Sequence, residues 1–337
     1  MGLPATAESW IEVDDQQLIS DSVRTALGQV EDLLVTEISN GPSIVVDKAL
    51  HLVNAGGKRF RPLFTIMSAQ LGPHPDDPQV VTAAAVAELT HLASLYHDDV
   101  IDEAPLRRGV VSANARWNNT VAILAGDYLL ATAFRLATQI DGKELEQMVE
   151  DTLIRMLTGE MRESIGVRPD EDPVAHYMDV IRDKTGALIE ACAGAGATFS
   201  GATSDEVERL RKFGNVLGLI FQISDDLLDL VADQQLSGKE LGTDLREGVH
   251  TLPVLFALRA QGTEADRLRR LLSHPLESEA EVAEALRLVA RSPGIAETVR
   301  VLDSLKAEAE SLLAALPRGA GNDALRQLVE MTVERVR

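Results

Sequence analysis

Two short segments of the sequence carry aspartates at the same spacing. Asp98-Asp99-Val100-Ile101-Asp102 and Asp225-Asp226-Leu227-Leu228-Asp229 each hold carboxylates at positions i, i+1 and i+4. On a helix, positions i and i+4 lie on one face, so each segment concentrates charges that repel one another. Mg²⁺ relieves such repulsion, because it is a hard ion that takes oxygen ligands and is commonly shared with substrate phosphates. The repeated spacing therefore predicts several divalent ions held between two facing helices.

Basic residues offer contacts for the phosphates that such ions accompany. The segment Gly56-Gly57-Lys58-Arg59-Phe60-Arg61-Pro62 sets three cations beside a turn whose amides suit a diphosphate, with an ordinary glycine turn and solvated basic side chains as the alternative. The sequence contains no zinc signature, no Gly-rich nucleotide loop and no Gly-x-Ser-x-Gly elbow. A diphosphate without a nucleotide is therefore favoured. Further cations for it are Arg107, Arg108, Lys184 and Lys239.

Composition and charge narrow the function classes. The chain has 337 residues, a formal net charge of −21 and only 4% aromatic residues. Such an acidic protein is a poor match for nucleic acid, because phosphate backbones need a basic surface. The single cysteine, Cys192, permits no intramolecular disulfide and lies in an apolar stretch, which predicts a buried thiol in a reducing compartment. With no run of about 18 apolar residues and no signal-peptide pattern, we expect a cytoplasmic protein without a transmembrane segment.

Apolar positions recur at helical spacing along most of the chain. Ala and Leu are abundant, and no segment alternates as a half-buried strand does. We therefore predict an all-α protein, with residues 1–15 as a loose N-terminal arm and residues 16–337 as one helical domain. The predicted helices span about 16–38, 43–53, 62–71, 79–103, 120–139, 143–165, 174–200 and 204–231, with more from about 252 to the end.

These motifs, in this order, resemble those of the trans-type polyprenyl diphosphate synthases. The resemblance runs from about Gly56 to Pro253. It implies a single large helical bundle of the isoprenoid synthase type around a central cavity, an active site between the two aspartate-bearing helices, and a homodimer. The matching segments are Gly56-Gly57-Lys58-Arg59-x-Arg61-Pro62, Glu88-Leu89-x-His91, Ser94-Leu95-x-His97 with the first aspartate cluster, Arg107-Arg108-Gly109, Gly126-Asp127, Lys184-Thr185, Phe221-Gln222 with the second cluster, and Gly238-Lys239.

The resemblance also implies what each aspartate does. Asp98, Asp102 and Asp225 would bind Mg²⁺, in a set of about three ions per site that Mn²⁺ can replace. Asp99, Asp226 and Asp229 would support these ions through water or neighbouring ligands. The activity implied is a prenyl transfer, in which an allylic diphosphate ionises, condenses with isopentenyl diphosphate and loses a proton.

The substrate contacts follow from the same resemblance. Lys184, Thr185 and Gln222 would be the catalytic residues, with Thr185 and Gln222 lining the place where the carbocation develops. The allylic diphosphate would be held by Arg107, Lys184 and Lys239. The isopentenyl diphosphate would be held by Lys58, Arg61, His91 and Arg108.

The sequence departs from the family pattern at a few positions. Glu163 stands where the family often has Gln, Val249-His250 where Lys is common, and Gly186 where Ala usually follows Lys-Thr. None of these changes removes a predicted metal ligand. They bear on which substrates the protein prefers more than on whether it is active.

Product length is predicted from the helix that carries the first cluster. Ser94, Thr90 and Ala87 lie one, two and three turns upstream of Asp98, with Ala93 beside Ser94, and all four are small. A tunnel along this helix would have no plug, which predicts a long-chain, all-trans product. The alternative is a floor from another helix, with Phe134 or Met156 as candidates, and a shorter geranylgeranyl or farnesyl product.

Other functions remain open at this point. A class I terpene cyclase, an HD-type metal phosphohydrolase suggested by His97-Asp98, and a non-catalytic subunit of a two-component synthase are the alternatives. The doubled aspartate cluster and the isopentenyl loop argue against a cyclase, and the seven histidines are too scattered for the phosphohydrolase. A loose association with the membrane is a further expectation, because the product is apolar.

Overall fold

The structure is a computed structural model that describes residues 20–231, 241–276 and 278–336. The predicted N-terminal arm and the Gly238-Lys239 segment, with the phosphate contact expected of Lys239, lie outside the described residues. The described residues are almost entirely helical, which confirms the all-α prediction. The helices are α1 (Asp21–Ser39), α2 (Ser43–Ala49), α3 (His51–Asn54), α4 (Phe60–Ala69), α5 (Pro78–Ile101), α6 (Ala113–Arg116), α7 (Asn119–Ala137), α8 (Glu144–Ile165), α9 (Pro173–Ile181), α10 (Ala187–Phe199), α11 (Ser204–Val231), α12 (Thr243–Glu247), α13 (Leu252–Arg259), α14 (Thr263–Leu271), α15 (Glu279–Arg291), α16 (Gly294–Ala314) and α17 (Ala320–Glu334).

Helix α5 lies in the middle of the bundle. Asp77 caps its first turn by accepting a hydrogen bond from the Gln79 amide at 2.9 Å, and Pro78 fits the first turn because no helical partner is needed there. The helix is apolar around most of its circumference, and it packs against α1, α4, α7 and α10. Its last turn carries the first aspartate cluster, so these carboxylates extend from a rigid, buried element.

Helices α10 and α11 form the opposite side of the bundle. They pack against each other, and α10 also contacts α4, α5 and α8. Small residues permit this close packing: a side chain at Gly196 would lie 2.1 Å from the carbonyl oxygen of Thr65. Helix α11 carries the second aspartate cluster near its C-terminal end. The thiol of Cys192 on α10 is buried as predicted, and burial raises its pKa to about 11.

The structure corrects several predicted boundaries. The predicted helix 43–53 is two helices, α2 and α3, and the predicted helix 174–200 is interrupted by a π-helical turn at Arg182–Gly186. The sequence shows no strand alternation, but the described residues include one short pair of strands. Leu106–Arg107 (β1) and Val110–Val111 (β2) pair in antiparallel register, Leu106 with Val111 and Arg107 with Val110. Strands of two residues are too short to show alternation in a sequence.

Helix α7 is the one helix in the described ranges that is long and apolar enough to cross a bilayer. Its residues 119–137 have a mean hydropathy of 1.4, and 44% of that window is buried inside the bundle. It packs along α5 and also contacts α2 and α6, as a core helix does. Length and composition alone are weak grounds for a membrane span, because core helices pass the same test.

Candidate active site

The carboxylates of the first aspartate cluster lie in two different environments. Asp99 is fully buried, and the Nε atom of Arg107 donates to its Oδ1 atom at 2.6 Å. Asp102 is half-exposed, with its Oδ2 atom 4.0 Å from the same guanidinium. Burial raises the pKa of Asp98 to about 7, with the nearby Lys184 ammonium opposing this change. Arg107, which was predicted to hold the allylic diphosphate, is therefore in place beside the cluster and paired with it.

The second cluster is held by hydrogen bonds from several elements. Asp226 is buried and accepts hydrogen bonds from the Tyr177 hydroxyl and, at 2.9 Å, from the Gln222 amide. Asp229 accepts hydrogen bonds from the backbone amides of Thr243 and Asp244 at 3.1 and 3.2 Å. Burial raises the pKa of Asp226 to about 7, since its two hydrogen bonds do not fully offset the cost of a buried charge. The start of α12 is thereby attached to the cluster on α11.

The predicted catalytic residues Thr185 and Gln222 contact each other. The Thr185 hydroxyl donates to Gln222 Oε1 at 2.9 Å, and the other end of the Gln222 amide donates to Asp226. A continuous chain of hydrogen bonds thus joins the π-helical turn to the second cluster. The orientation of the Gln222 amide is fixed by these two partners.

The predicted phosphate ligand Lys184 is paired with carboxylates of α8. Its ammonium lies 2.8 Å from Glu160 and also contacts Glu163. Burial lowers the pKa of Lys184, but the two carboxylates outweigh burial and raise it. Glu163, the departure from the family's usual Gln, is therefore a direct partner of a predicted catalytic residue. A diphosphate would have to share Lys184 with these carboxylates.

Arg59 attaches the predicted isopentenyl diphosphate loop to the neighbouring helices. Its φ angle is +51°, and its guanidinium contacts Glu31 on α1 and lies 3.1 Å from Glu88 on α5. It also donates to the Val53 carbonyl at 3.2 Å. These partners fix Arg59 in place, so the loop is attached to two helices.

The predicted isopentenyl diphosphate ligands lie around the same loop. Arg108 donates to the carbonyl oxygens of Leu52 and Gly56 at 3.1 and 2.6 Å. His91 is buried, and burial together with the charges of Arg61 and Arg108 lowers its pKa well below the usual value. It is therefore neutral near pH 7. The structure thus brings His91, Arg61 and Arg108 together, with Lys58 in the same loop.

The two aspartate clusters share one acidic region. Glu247 on α12 has a pKa that is raised by burial and then by the charges of Asp102 on α5 and Asp229 on α11. One side chain therefore lies within electrostatic range of both clusters. Asp244 lies in the same region, and burial with the charges of Asp226 and Asp229 raises its pKa to about 8.

This donor set fits divalent cations. In the described ranges no three His, Cys, Asp or Glu side chains converge on a point that would bind one ion. Mg²⁺, however, is typically bound by one or two carboxylates together with substrate phosphates and water. The buried Oδ2 atom of Asp99 has no hydrogen-bond partner, and the pKa values of Asp98, Asp226 and Asp244 are raised by burial. Carboxylates in this condition are stabilised by a cation.

The sequence-based prediction missed two residues of the site. Asp244 lies on the short helix α12 that follows the second cluster, and it was assigned no role. Arg335 on the C-terminal segment lies 2.7 Å from Asp225, and its guanidinium is 5.7 Å from the centre of the Phe221 ring. Burial lowers the pKa of Arg335 to about 9. The carboxylate spacing after Asp229 was a usable signal for Asp244, whereas no local pattern connects Arg335 to a residue 110 positions away.

An apolar crevice lies between three helices. Its walls come from α5, α8 and α10, and it is narrow, with an open volume of ≈ 20 Å³. Thr90 and Ala87 line it as predicted. Ser94 is not among its wall residues, Ala93 packs in the core instead, and neither Phe134 nor Met156 is part of the walls. Phe134 is 36% exposed on α7. The wall residues are Ala83, Val86, Ala87, Thr90, Leu145, Met148, Val149, Thr152, Leu188, Ala191 and Ala195.

Comparison with known proteins connects this arrangement to one family. A model of the polyprenyl synthetase family matches residues 42–289, which is more than half of the chain. The nonaprenyl diphosphate synthase of Mycobacterium tuberculosis is 50% identical over 335 residues, covering 99% of this chain and 99% of that protein.

Solved structures agree. The geranylgeranyl pyrophosphate synthase of Corynebacterium glutamicum, complexed with calcium and isoprenyl diphosphate, is similar with a TM-score of 0.87 and 44% identity, covering 97% of this chain and 99% of that one. The decaprenyl diphosphate synthase of Rhodobacter capsulatus has a TM-score of 0.84 and 30% identity, covering 94% and 98%. The resemblance first drawn from the motifs is confirmed: the chain belongs to the polyprenyl synthetase family and is a prenyltransferase.

Proposed function

We propose that this protein extends an allylic diphosphate with isopentenyl diphosphate to give a long-chain, all-trans polyprenyl diphosphate. The observation that carries the proposal is the shared acidic region between α5 and α11, together with an apolar crevice that begins at Thr90, two turns before Asp98 on the same helix. One helix thus carries both charged groups suited to diphosphates and metal ions and part of an apolar wall suited to a hydrocarbon chain. Family membership supports the same reaction class.

The reaction breaks the allylic C–O bond, and the diphosphate leaves with the electron pair. The double bond of isopentenyl diphosphate then attacks the allylic carbon, and the adduct loses a proton, which the released diphosphate takes up. Lys184 and Arg107 would stabilise the charge that develops on the leaving diphosphate. The oxygen atoms of Thr185 and Gln222 would face the carbocation, while Lys58, Arg61, His91 and Arg108 would orient the second substrate.

The metal is proposed to be Mg²⁺. When bound, it would neutralise the leaving diphosphate and so act as a Lewis acid. Asp98, Asp102 and Asp225 would hold about three ions with the phosphates, with Mn²⁺ as a substitute. The related Corynebacterium glutamicum structure contains calcium with isoprenyl diphosphate, which supports a divalent ion at such a site.

A long product is supported by the path of the crevice. Ala83, Ala87 and Thr90 lie along α5 on the side of the helix that carries Asp98. On α8, Thr152 lies two turns before Glu160, whose charge acts on Asp98. No aromatic side chain is among the wall residues. The nonaprenyl and decaprenyl synthases among the similar proteins make long products by name, whereas the geranylgeranyl synthase makes a shorter one.

A homodimer is proposed from an exposed apolar surface. We define the α7/α8 face as Ile123, Leu124 and Phe134 of α7 with Ile154, Leu157, Met161 and Ile165 of α8, all of which are exposed. Large apolar side chains exposed on two neighbouring helices usually mark a protein interface. We also propose a cytoplasmic location, whereas the expected loose association with the membrane has no support among the described residues.

The proposal is tested by incubating the purified chain with labelled isopentenyl diphosphate, an allylic primer and Mg²⁺, and separating the products by chromatography. We expect chain-extended product, and we expect Asp98→Ala to lower kcat by about a thousandfold. Full activity in Asp98→Ala would refute the role of the first cluster. Diphosphate release without consumption of isopentenyl diphosphate would indicate a terpene cyclase, and tight substrate binding without turnover would indicate a subunit that needs a partner.

A further inference from the structure

The π-helical turn Arg182–Gly186 carries two of the proposed catalytic residues, Lys184 and Thr185. Such a turn contains one residue more than an α-helical turn, and π turns in helices are frequently found at functional sites. It is an energetically poorer arrangement than a regular α-helix, so neighbouring groups must stabilise it. The question is which groups in this chain do so.

Asp183 is held by two arginines of α8. Arg162 donates to its Oδ2 atom at 2.7 Å, and Arg155 donates to its Oδ1 atom at 3.3 Å. Arg155 also reaches the carbonyl oxygen of Arg182 at 3.5 Å. Each oxygen of Asp183 therefore has its own arginine, and Arg155 contacts both the side chain and the backbone of the turn. The Asp183 side chain is 19% exposed, so these pairs are partly shielded from water.

Lys184, the residue after Asp183, also contacts α8, but its partners there are carboxylates rather than arginines. Lys184 pairs with Glu160 and Glu163, which alternate along α8 with the two arginines. Gly159 lies between them, and a side chain there would come within 2.5 Å of the Lys184 amide nitrogen. The turn and α8 are thus in direct contact, and two ion-pair sets of opposite sign fix their register.

We propose that Asp183, held by Arg155 and Arg162, is a positioning residue that fixes the register of the π-helical turn on α8 and so aims Lys184 and Thr185 at the allylic substrate. This inference rests on the proposed function. Asp183 itself touches no substrate. Neutralising it would weaken the ion pairs on one side of the turn and allow it to rewind towards an α-helix. Because each residue of an α-helix turns by about 100°, rewinding would move Thr185 away from Gln222, which it contacts at 2.9 Å.

The test compares Asp183→Asn and Arg155→Met with the wild-type enzyme by steady-state kinetics in both substrates. We expect kcat to fall about tenfold and the KM for the allylic diphosphate to rise about threefold. The KM for isopentenyl diphosphate should not change, because its proposed ligands lie on α4, on α5, in the loop before α4 and in the turn between β1 and β2, and none is on the π-helical turn. Arg155→Lys should recover part of the loss, since it keeps the charge but not the forked geometry.

Arg211→Met is the matched control. Arg211 binds the same Glu190 as Arg155, at 3.0 Å compared with 2.7 Å, but it makes no contact with Asp183. We expect it to lower the melting temperature as Arg155→Met does and to leave both KM values unchanged. Equal kinetics for Arg155→Met and Arg211→Met, or a parallel rise of both KM values, would overturn the inference. Absence of chain extension by the wild-type enzyme would instead overturn the proposed function, so the two failures are distinguishable.

Discussion

At the scale of single residues, the site is defined by buried carboxyl groups whose anionic forms the protein alone does not stabilise. Asp98, Asp226 and Asp244 all have pKa values raised by burial, to about 7, 7 and 8. A raised pKa means that the folded chain holds these groups more easily as neutral acids than as anions. The negative charge needed to bind a metal ion is therefore costly in the free protein.

This condition predicts a pH dependence of metal binding. Between about pH 6 and 8 the three groups lose their protons, so the affinity for Mg²⁺ should increase with pH over this range. We expect the half-saturating Mg²⁺ concentration, measured by titration calorimetry, to fall by about tenfold across it. Asp244→Asn keeps the shape of the side chain without its titration and should show a weaker pH dependence. A pH-independent affinity would show that these carboxylates are already ionised at pH 6.

The same pKa values predict the stability of the metal-free chain. A carboxyl group with a raised pKa favours folding below its ordinary pKa, and this contribution is lost as the pH rises through about 7 to 8. The melting temperature in EDTA should therefore fall between pH 6 and pH 8.5. With Mg²⁺ it should fall less, because metal binding favours the folded state. A gap between the two curves that does not widen with pH would contradict this account.

The residues of the site were most predictable from the sequence where they belong to one short motif. The aspartate clusters were predicted from their spacing and the Gly56–Arg61 loop from its glycines and cations, whereas the role of His91 followed only from the family resemblance. The pairing of Lys184 with Glu160 and Glu163 was not found, because two helices apart in sequence had to be brought into contact. Arg335 was missed for the same reason, since its partner Asp225 lies in a different helix.

At the scale of elements, α5 joins the metal-binding end of the molecule to the apolar crevice. Ala83, Ala87 and Thr90 line the crevice, and at the same helical spacing Ser94 follows, one turn before Asp98. Helix α8 runs in the same direction, with Leu145 near Ala83 in the crevice and Glu160 near Asp98 at the site. Leu145 and Met148 therefore lie at the end of the crevice that is farther from the metals.

This geometry predicts a graded effect on product length. Ser94 is four residues and Ala87 eleven residues upstream of Asp98, or about 6 and 16 Å along the helix. Ser94→Phe should therefore stop growth earliest and Ala87→Phe later, while Leu145→Ala should lengthen the product by opening the far end. The products of each variant would be compared by chromatography.

Thr82→Phe is the matched control for these variants. Thr82 lies on the same helix, but it is not a wall residue and lies about 100° away from the stripe of Ala83, Ala87, Thr90 and Ser94 that leads to Asp98. Its product should equal that of the wild type. If Ser94→Phe and Ala87→Phe give the wild-type product, the chain does not grow along this side of α5.

The long helices were predictable in position and type, whereas their number was not predictable where local propensity and packing disagree. The π-helical turn at Arg182–Gly186 was missed, because its sequence continues the helical pattern on both sides and the α8 residues that pair with it are 21 and 28 positions away in the sequence. The break between α2 and α3 was missed because no glycine or proline marks it. The strands β1 and β2 arise from a tight turn at Gly109, where φ is +75°.

At the scale of the whole molecule, the all-helical bundle was predictable from composition and periodicity. A sequence rich in Ala and Leu, with apolar positions at helical spacing, leaves few other ways to bury its apolar surface. What composition does not show is which apolar residues stay on the surface. In the described ranges the exposed large apolar side chains include the α7/α8 face, and an isolated chain would expose it to water.

The α7/α8 face predicts a change in oligomeric state on mutation. Leu157 is 60% exposed and Leu124 58% exposed, and Ile154, Leu157, Met161 and Ile165 follow each other at the spacing of one helical stripe. In a symmetric dimer each residue of the face occurs twice at the interface, so a carboxylate there is buried twice without a partner. We expect Leu124→Glu with Leu157→Glu to weaken the dimer by at least about a hundredfold, as measured by sedimentation equilibrium. Val35→Glu, which changes an exposed valine of α1 outside this face, should leave the dimer intact. A double variant that still sediments as a dimer would place the interface elsewhere.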